Sequence, residues 1–224
     1  MRSRFDEQLA QLHRELIEMG ALCEEVIALS SQALTEGSGA LAEKVAPLDH
    51  DIDRKEREIE SLCLKLLLQQ QPVAKDLRQI SAALKMITDM ERIGDQAEDI
   101  AEIVRFLGGR GAENSDLLRD MARSTIKMVT ESVDAYVKGD ITLAGQVIAE
   151  DDVVDDYFAR VKRALIERIA KDPSDGEFAL DLLMIAKYFE RIGDHATNIA
   201  GWVVFAVTGA HDGEENGHDL VCGG

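Results

Sequence analysis

The pentapeptide Glu-Arg-Ile-Gly-Asp occurs twice in this chain, at residues 91–95 and again at 190–194. A shift of 99 residues superposes the two copies and also carries Ala97, Ile100 and Ala101 onto Ala196, Ile199 and Ala200. A five-residue identity with further matches in register marks an internal duplication, so the two halves must share one fold. The preceding segments match more loosely, with Asp49 and Asp53 corresponding to Asp151 and Asp155.

Apolar residues recur at helical steps throughout. Leu9, Leu12, Leu16, Met19, Leu22, Val26 and Leu29 predict a first helix from about Arg4 to Leu34. Leu48, Ile52, Ile59, Leu62 and Leu66 predict a second from about Ala40 to Gln70, which Pro47 either kinks or starts late. A third follows Pro72 and ends after Leu107, and Gly108–Asn114 reads as a linker. Ser115 is placed to cap a fourth helix that runs to Lys138, and Asp140 to cap a fifth that reaches Lys171. Ser174 with Glu177 has the pattern of a capping box for a sixth, ending near Thr208-Gly209. No window alternates apolar and polar residues, so no sheet is expected. The fold class is all-α: two tandem up-down-up three-helix bundles, elongated, with six long helices. The expected units are residues 1–110, residues 111–208 and a disordered tail over 209–224.

Charge narrows the function. Forty-three acidic residues against 25 basic ones give a formal net charge of −18. No basic footprint for nucleic acid is visible, and an anionic membrane would repel the chain as a whole. Metal cations and basic patches on other proteins remain as partners. Cys23, Cys63 and Cys222 lack zinc spacing and suit a reducing cytosol, with the first two as small apolar core residues. The start Met1–Glu7 has no apolar stretch, so no signal peptide is expected. The longest apolar run, Ile199–Val207, falls short of the roughly 20 residues a bilayer needs. A cytoplasmic protein, peripheral to a membrane at most, is expected.

Carboxylates carry the chemical signal. The apolar seam of the third helix runs Leu77, Ile80, Leu84, Ile87, and its next position holds Glu91, followed by Gly94. The sixth helix repeats this with Ala179, Leu183, Ala186, Glu190 and Gly193. A glutamate in a core seam needs compensation, because an unpaired buried carboxylate is costly. Glu91, Asp95 and Asp99 lie at i, i+4 and i+8, as do Glu190, Asp194 and Asn198. Two antiparallel helices joined by a short turn bring residues level when their numbers are centred on that turn. Asp49 with Asp95, and Asp53 with Glu91, are centred on Pro72. Asp151 with Asp194, and Asp155 with Glu190, are centred on Asp172-Pro173. Carboxylates gathered at one level make a cage suited to hard, oxygen-preferring cations.

The plainer reading pairs these acids with Arg54, Arg57, Arg92 and Arg191 on a solvated face. Gly94 and Gly193 each cost about 1 kcal/mol relative to Ala in a helix interior, which a close approach of a neighbouring helix or ion would justify. His50 and His195 adjoin proposed ligands but point about 100° away from them on the helix. Tyr157, Phe158, Tyr188 and Phe189 read as core.

The segment Leu67–Arg78 leading into Met90–Asp95, with the Leu9–Met19 helix, the Asp49–Asp53 segment and the second copy at Glu190–Asp194, resembles the PhoU family of phosphate-uptake regulators. The resemblance covers about residues 4 to 208. It implies two tandem three-helix bundles whose acidic motifs bind multinuclear metal clusters, of iron or zinc in some members and of magnesium or manganese in others. Carried over, the metal ligands are Asp49, Asp53, Glu91, Asp95 and Asp99 in one half, and Asp151, Asp155, Glu190, Asp194 and Asn198 in the other. Asn198 brings an oxygen without charge, so the two sites are expected to differ. The resemblance further implies a homodimer that represses the phosphate-starvation response by coupling a phosphate ABC transporter ATPase to a sensor histidine kinase. Two alternatives stand beside it. One is a dimerisation module held by salt-bridged acids. The other is a di-metal enzyme, against which no His lies three residues after a proposed ligand Glu. No nucleophile with its base and no phosphate-cradling glycine loop is present either, so no catalysis is expected.

Overall fold

The computed structural model describes residues 2–70, 73–111 and 116–210. Six long helices dominate: α1 (Arg2–Glu36), α3 (Val45–Gln70), α4 (Ala74–Phe106), α5 (Asp116–Lys138), α6 (Ile141–Lys171) and α7 (Gly176–Thr208), with a one-turn α2 (Gly39–Ala42) after the first. Among the described residues there is no strand. Four expectations lie outside those residues: Pro72 as the centre of the first turn, residues 112–114 of the linker, the Ser115 cap, and the tail beyond Ala210.

The chain's punctuation explains these boundaries. Gly37 takes a left-handed φ of 61° as α1 ends, and the Ser38 amide reaches back to Ala33 O at 2.9 Å. Ser38 then caps α2, its hydroxyl accepting from the Leu41 amide. Pro47 marks a late start rather than a kink: α3 begins at Val45, which puts Pro47 in a first turn where no intrahelical partner is lost. Asp140 caps α6 as expected, its Oδ1 accepting from the Thr142 and Leu143 amides at 3.0 Å each. The Ser174–Glu177 box does not form. Ser174 instead donates from both its amide and its hydroxyl to Asp172, which caps a turn of 3₁₀ helix at Pro173–Asp175. Asp175, the residue before α7, turns its carboxylate to Arg110 and Arg168.

α1, α3 and α4 pack on one another, and so do α5, α6 and α7. Between the halves α4 packs on α7, and α5 on α1. One hydrophobic core therefore runs through both bundles. Among the described residues, the outer helices α3 and α6 each pack only within their own half. Lys55 ties α3 to α1 through Glu15 and Glu18 at 2.8 Å each, and Lys127 ties α5 to α6 through Glu150 at 2.9 Å.

The α4–α7 pair runs antiparallel. Arg78 lies against Gly209, Lys85 is 6.0 Å from the Trp202 ring, and Asp89 binds His195 and Asn198. The numbers of the Lys85–Trp202 and Asp89–Asn198 pairs are centred between residues 143 and 144, as are those of Gly94 and Gly193. The two pentapeptides thus cross at one level, where the duplication relates each half to the other. Cys23 and Cys63 are fully buried, in keeping with their reading as core residues.

Candidate metal centre

Each pentapeptide glycine receives the helix before it. A Cβ on Gly94 would stand 2.6 Å from Asp49 Oδ1 and 3.1 Å from Ile52 Cδ1, both on α3. A Cβ on Gly193 would stand 3.3 Å from Val154 and 3.5 Å from Asp151 Oδ1, both on α6. The close-approach reading of these glycines therefore holds, and it is tighter in the first half.

Asp49 is the most unusual residue of the first set. It is only 5 % exposed, and its Oδ1 is buried without a hydrogen-bond partner. Burial, then the charges of Glu98, Asp53 and Asp95, push its carboxyl up to about 7. Glu91 is raised by burial and then by Asp95, with Glu56 and Asp53 adding, while Arg92 opposes. The structure thus brings Asp49, Asp53, Glu91 and Asp95 together across the α3–α4 seam, as the level argument requires. It also adds Glu56 and Glu98.

In the second half Asp151 is raised by burial and then by Asp194 and Asp155, and the buried Glu190 Oε2 and Thr197 Oγ1 have no hydrogen-bond partner. Asp194 is raised by burial, then by Glu190, with Asp155 adding; Lys187 and His195 oppose. Asp151, Asp155, Glu190 and Asp194 are therefore likewise gathered.

The third members of the two stripes lie elsewhere. Eight residues along a helix rotate a side chain by about 80°, so Asp99 and Asn198 turn from the seams toward the α4–α7 interface. Asn198 donates to Asp89 Oδ1 at 3.2 Å. Asp99 is raised by burial and by its own helix's acids and lowered by Arg191 of α7, and it in turn raises Tyr188. His195 also turns to Asp89, with Nδ1 2.9 Å from its carboxylate. Glu98 was missed because its copy in the second half is Thr197, so the duplication did not flag it. Its signal was the seven-residue step from Glu91, which rotates by only about 20°.

Salt bridges account for part of the charge. Arg92 sits 3.5 Å from Glu91 and 3.1 Å from Asp95, Arg57 is 3.9 Å from Asp53, and Lys187 pairs with Glu190. Arg54 serves Asp51 and Glu58, and Arg191 lies over the Tyr188 ring. None of these cations reaches Asp49. Neighbouring carboxylates repel, and here they turn to their own chain's cations; among the described residues no three His, Cys, Asp or Glu side chains converge closely enough to grip one ion as they stand. The donor set nevertheless fits a hard cation. It is all oxygen and carries excess negative charge. It includes a buried carboxylate oxygen with nothing to bind, a costly arrangement unless a cation satisfies it.

Fold and site together define a duplicated helical protein with one acidic seam in each half. The PhoU domain model matches residues 16–104 and 118–203. The chain belongs to the PhoU domain family. A phosphate-specific transport system accessory protein PhoU homolog of Clostridium acetobutylicum is 35% identical over 212 residues, covering 93% of this chain and 96% of that one. The homolog of the same description from Synechocystis is 37% identical, covering 94% of each. The crystal structure of PhoU from Pseudomonas aeruginosa superposes with a TM-score of 0.86 at 33% identity, covering 92% of this chain and all of that one. That of the phosphate transport system regulatory protein PhoU from Streptococcus pneumoniae gives 0.84 at 26%, covering 92% and 98%. These names describe accessory and regulatory proteins, not enzymes. Among the described residues, no helix is long and apolar enough to cross a membrane.

Proposed function

We propose that this protein is a non-enzymatic, metal-binding regulator of phosphate uptake. Its relatives' names support the tie to a phosphate transport system. The observation that carries the metal reading is Asp49: a buried carboxylate with an unpartnered oxygen, pressed onto Gly94 within a set of acids from two helices. Magnesium and manganese match such oxygen donors, and carboxylates also hold iron or zinc. Asp49, Asp53, Glu91 and Asp95 would hold the ion in the first half, and Asp151, Asp155, Glu190 and Asp194 are their counterparts. A bound ion would neutralise the mutual repulsion of these acids and fix the spacing of the outer helix on the inner one.

In this reading the protein is cytoplasmic and acts as a homodimer. It couples the phosphate ABC transporter's ATPase subunit to a sensor histidine kinase and holds the starvation response off while phosphate enters. The coupling rests on the family resemblance. The net charge of −18 supports a docking surface that meets basic protein patches rather than anionic lipid. Pull-down from a phosphate-replete lysate with the tagged full chain tests it. The ATPase subunit and the kinase should both be retained, and chelator should weaken their retention. Failure to retain either would sink the adaptor reading.

A further inference from the structure

Along the α4–α7 contact lies a cleft of about 530 Å³, the size of a small-molecule site. Both halves build it. Lys85 and Asp89 come from α4, Ile148 from α6, and Gly201 and Trp202 from α7. The duplication does not repeat this lining. A shift of 99 residues carries Lys85 and Asp89 onto Met184 and Tyr188, and sets Glu102 and Ile103 opposite Gly201 and Trp202. Gly201 is the telling exchange. Glycine is unfavourable in a helix interior, and a Cβ at this position would meet nothing within 4 Å. No neighbouring helix requires the glycine, as one does at Gly94. Its effect is open space on the cleft wall.

The charges of the cleft are held apart. Lys85 and Asp89 stand at i and i+4, a spacing at which opposite charges ordinarily join. Here they do not. The Lys85 ammonium lies 6.0 Å from the centroid of the Trp202 ring, and among the described residues no carboxylate is within ion-pair distance of it. Asp89 takes both His195 Nδ1 and Asn198 Nδ2 on its Oδ1, and among the described residues its Oδ2 has no partner. Thr197, also in the lining, has a buried Oγ1 without a hydrogen-bond partner. The cleft therefore offers one unpaired ammonium and one open carboxylate oxygen, together with the apolar surface of Trp202 and Ile148.

A simple anion would suit Lys85 but would meet Asp89 and the field of a chain with net charge −18. A simple cation would suit that field and Asp89 but would meet Lys85. A molecule that carries both charges satisfies both side chains and approaches without net charge. We infer that the cleft binds a small zwitterion, an α-amino acid with an apolar side chain. Its carboxylate would take Lys85, its ammonium Asp89 Oδ2, and its side chain the surface of Trp202 and Ile148 over Gly201. Because the walls come from both halves, an occupied cleft would tie α4 of one half to α6 and α7 of the other. The inference needs no metal and stands apart from the metal reading above.

Calorimetric titration of the chelator-dialysed full chain with L-phenylalanine, 3-phenylpropanoate and 2-phenylethylamine tests it. The second compound lacks the ammonium and the third the carboxylate. L-phenylalanine should bind once per chain, about tenfold or more tighter than either analogue, and should raise the Tm. Gly201→Leu fills the open space and should abolish binding, with circular dichroism to check that the variant is folded. Lys85→Met, which brings in the residue of the matching position 184, should weaken L-phenylalanine about tenfold or more and leave 2-phenylethylamine unweakened. A folded wild type that does not bind L-phenylalanine would overturn the inference. So would equal affinity for either analogue, which would make the cleft a site for a single charge. Undiminished binding by folded Gly201→Leu would place the amino acid elsewhere and overturn it as well. None of these results bears on the metal reading, which metal content decides.

Discussion

At Gly94 a single hydrogen in place of a methyl group lets Asp49 lie against the α4 backbone. Replacing a mid-helix glycine by alanine ordinarily stabilises a helix by about 1 kcal/mol. Gly94→Ala should do the reverse, because the new methyl would stand 2.6 Å from a buried carboxylate oxygen and 3.1 Å from Ile52. Gly193→Ala meets its nearest neighbours at 3.3 and 3.5 Å and should be close to neutral. Parallel thermal melts should place Gly94→Ala below wild type and Gly193→Ala near it. The reverse order would contradict the packing described. Asp49 also sets a pH dependence. Its folded-state pKa of about 7 lies above the ordinary aspartate value, so between about pH 4 and 7 the folded chain holds a proton that the unfolded chain has released. Stability of the metal-free protein should therefore fall as pH rises through that window. The raised Glu91, Asp151 and Asp194 carboxyls act in the same direction. Melts of chelator-treated protein should give a lower Tm at pH 8 than at pH 5, and Asp49→Asn should flatten the difference. At this scale the sequence told much about the site. The duplicated motif and the centring of residue numbers pick out four acids on facing helices in each half, and the closest helix approaches, at Gly94 and Gly193, fall beside Asp49 and Asp151. Asp99 and Asn198 lie toward the α4–α7 interface because an i+8 step accumulates rotation, and Glu56 and Glu98 were hidden because their copies are Phe158 and Thr197.

Helices were legible from periodicity, and their ends wherever a side chain had one available partner. Asp140 is such a case: its carboxylate takes two amides at the start of α6. Asp140→Ala should cost about 1 kcal/mol in chemical denaturation. Ser174 and Glu177 fit a capping pattern equally well on paper, but Asp172 offers a nearer acceptor and the adjoining proline favours a tight turn. Competition between local partners decides such ends, and spacing alone does not record it. Contacts between elements were less visible. The Tyr136 hydroxyl donates to Gln79 O at 2.7 Å, linking α5 of one half to α4 of the other, and the ring is 4% exposed. Tyr136→Phe should cost about 1 kcal/mol, since it leaves a carbonyl without that donor. An unchanged denaturation midpoint would show that the linkage contributes nothing.

The duplication announced two bundles, and each does form its own three-helix unit. What it did not announce is how they join. Apolar and small residues cover most of α4 and α7, so no single stripe marks the face that meets the other half. Packing these two helices antiparallel with their glycines level puts both acidic seams at one height, with α3 and α6 outermost. A change in the spacing of an outer helix would then be passed to a core shared by both halves. That geometry is what would let a bound ion influence a distant docking surface. The proposed regulation depends on the seams being built for cations. Elemental analysis of protein purified without chelator, comparing wild type with Asp49→Asn combined with Glu91→Gln, tests this most directly. The wild type should carry bound magnesium, manganese, iron or zinc, and the folded double variant should lose it. A wild type free of all four metals, or a double variant that keeps the full complement, would contradict it.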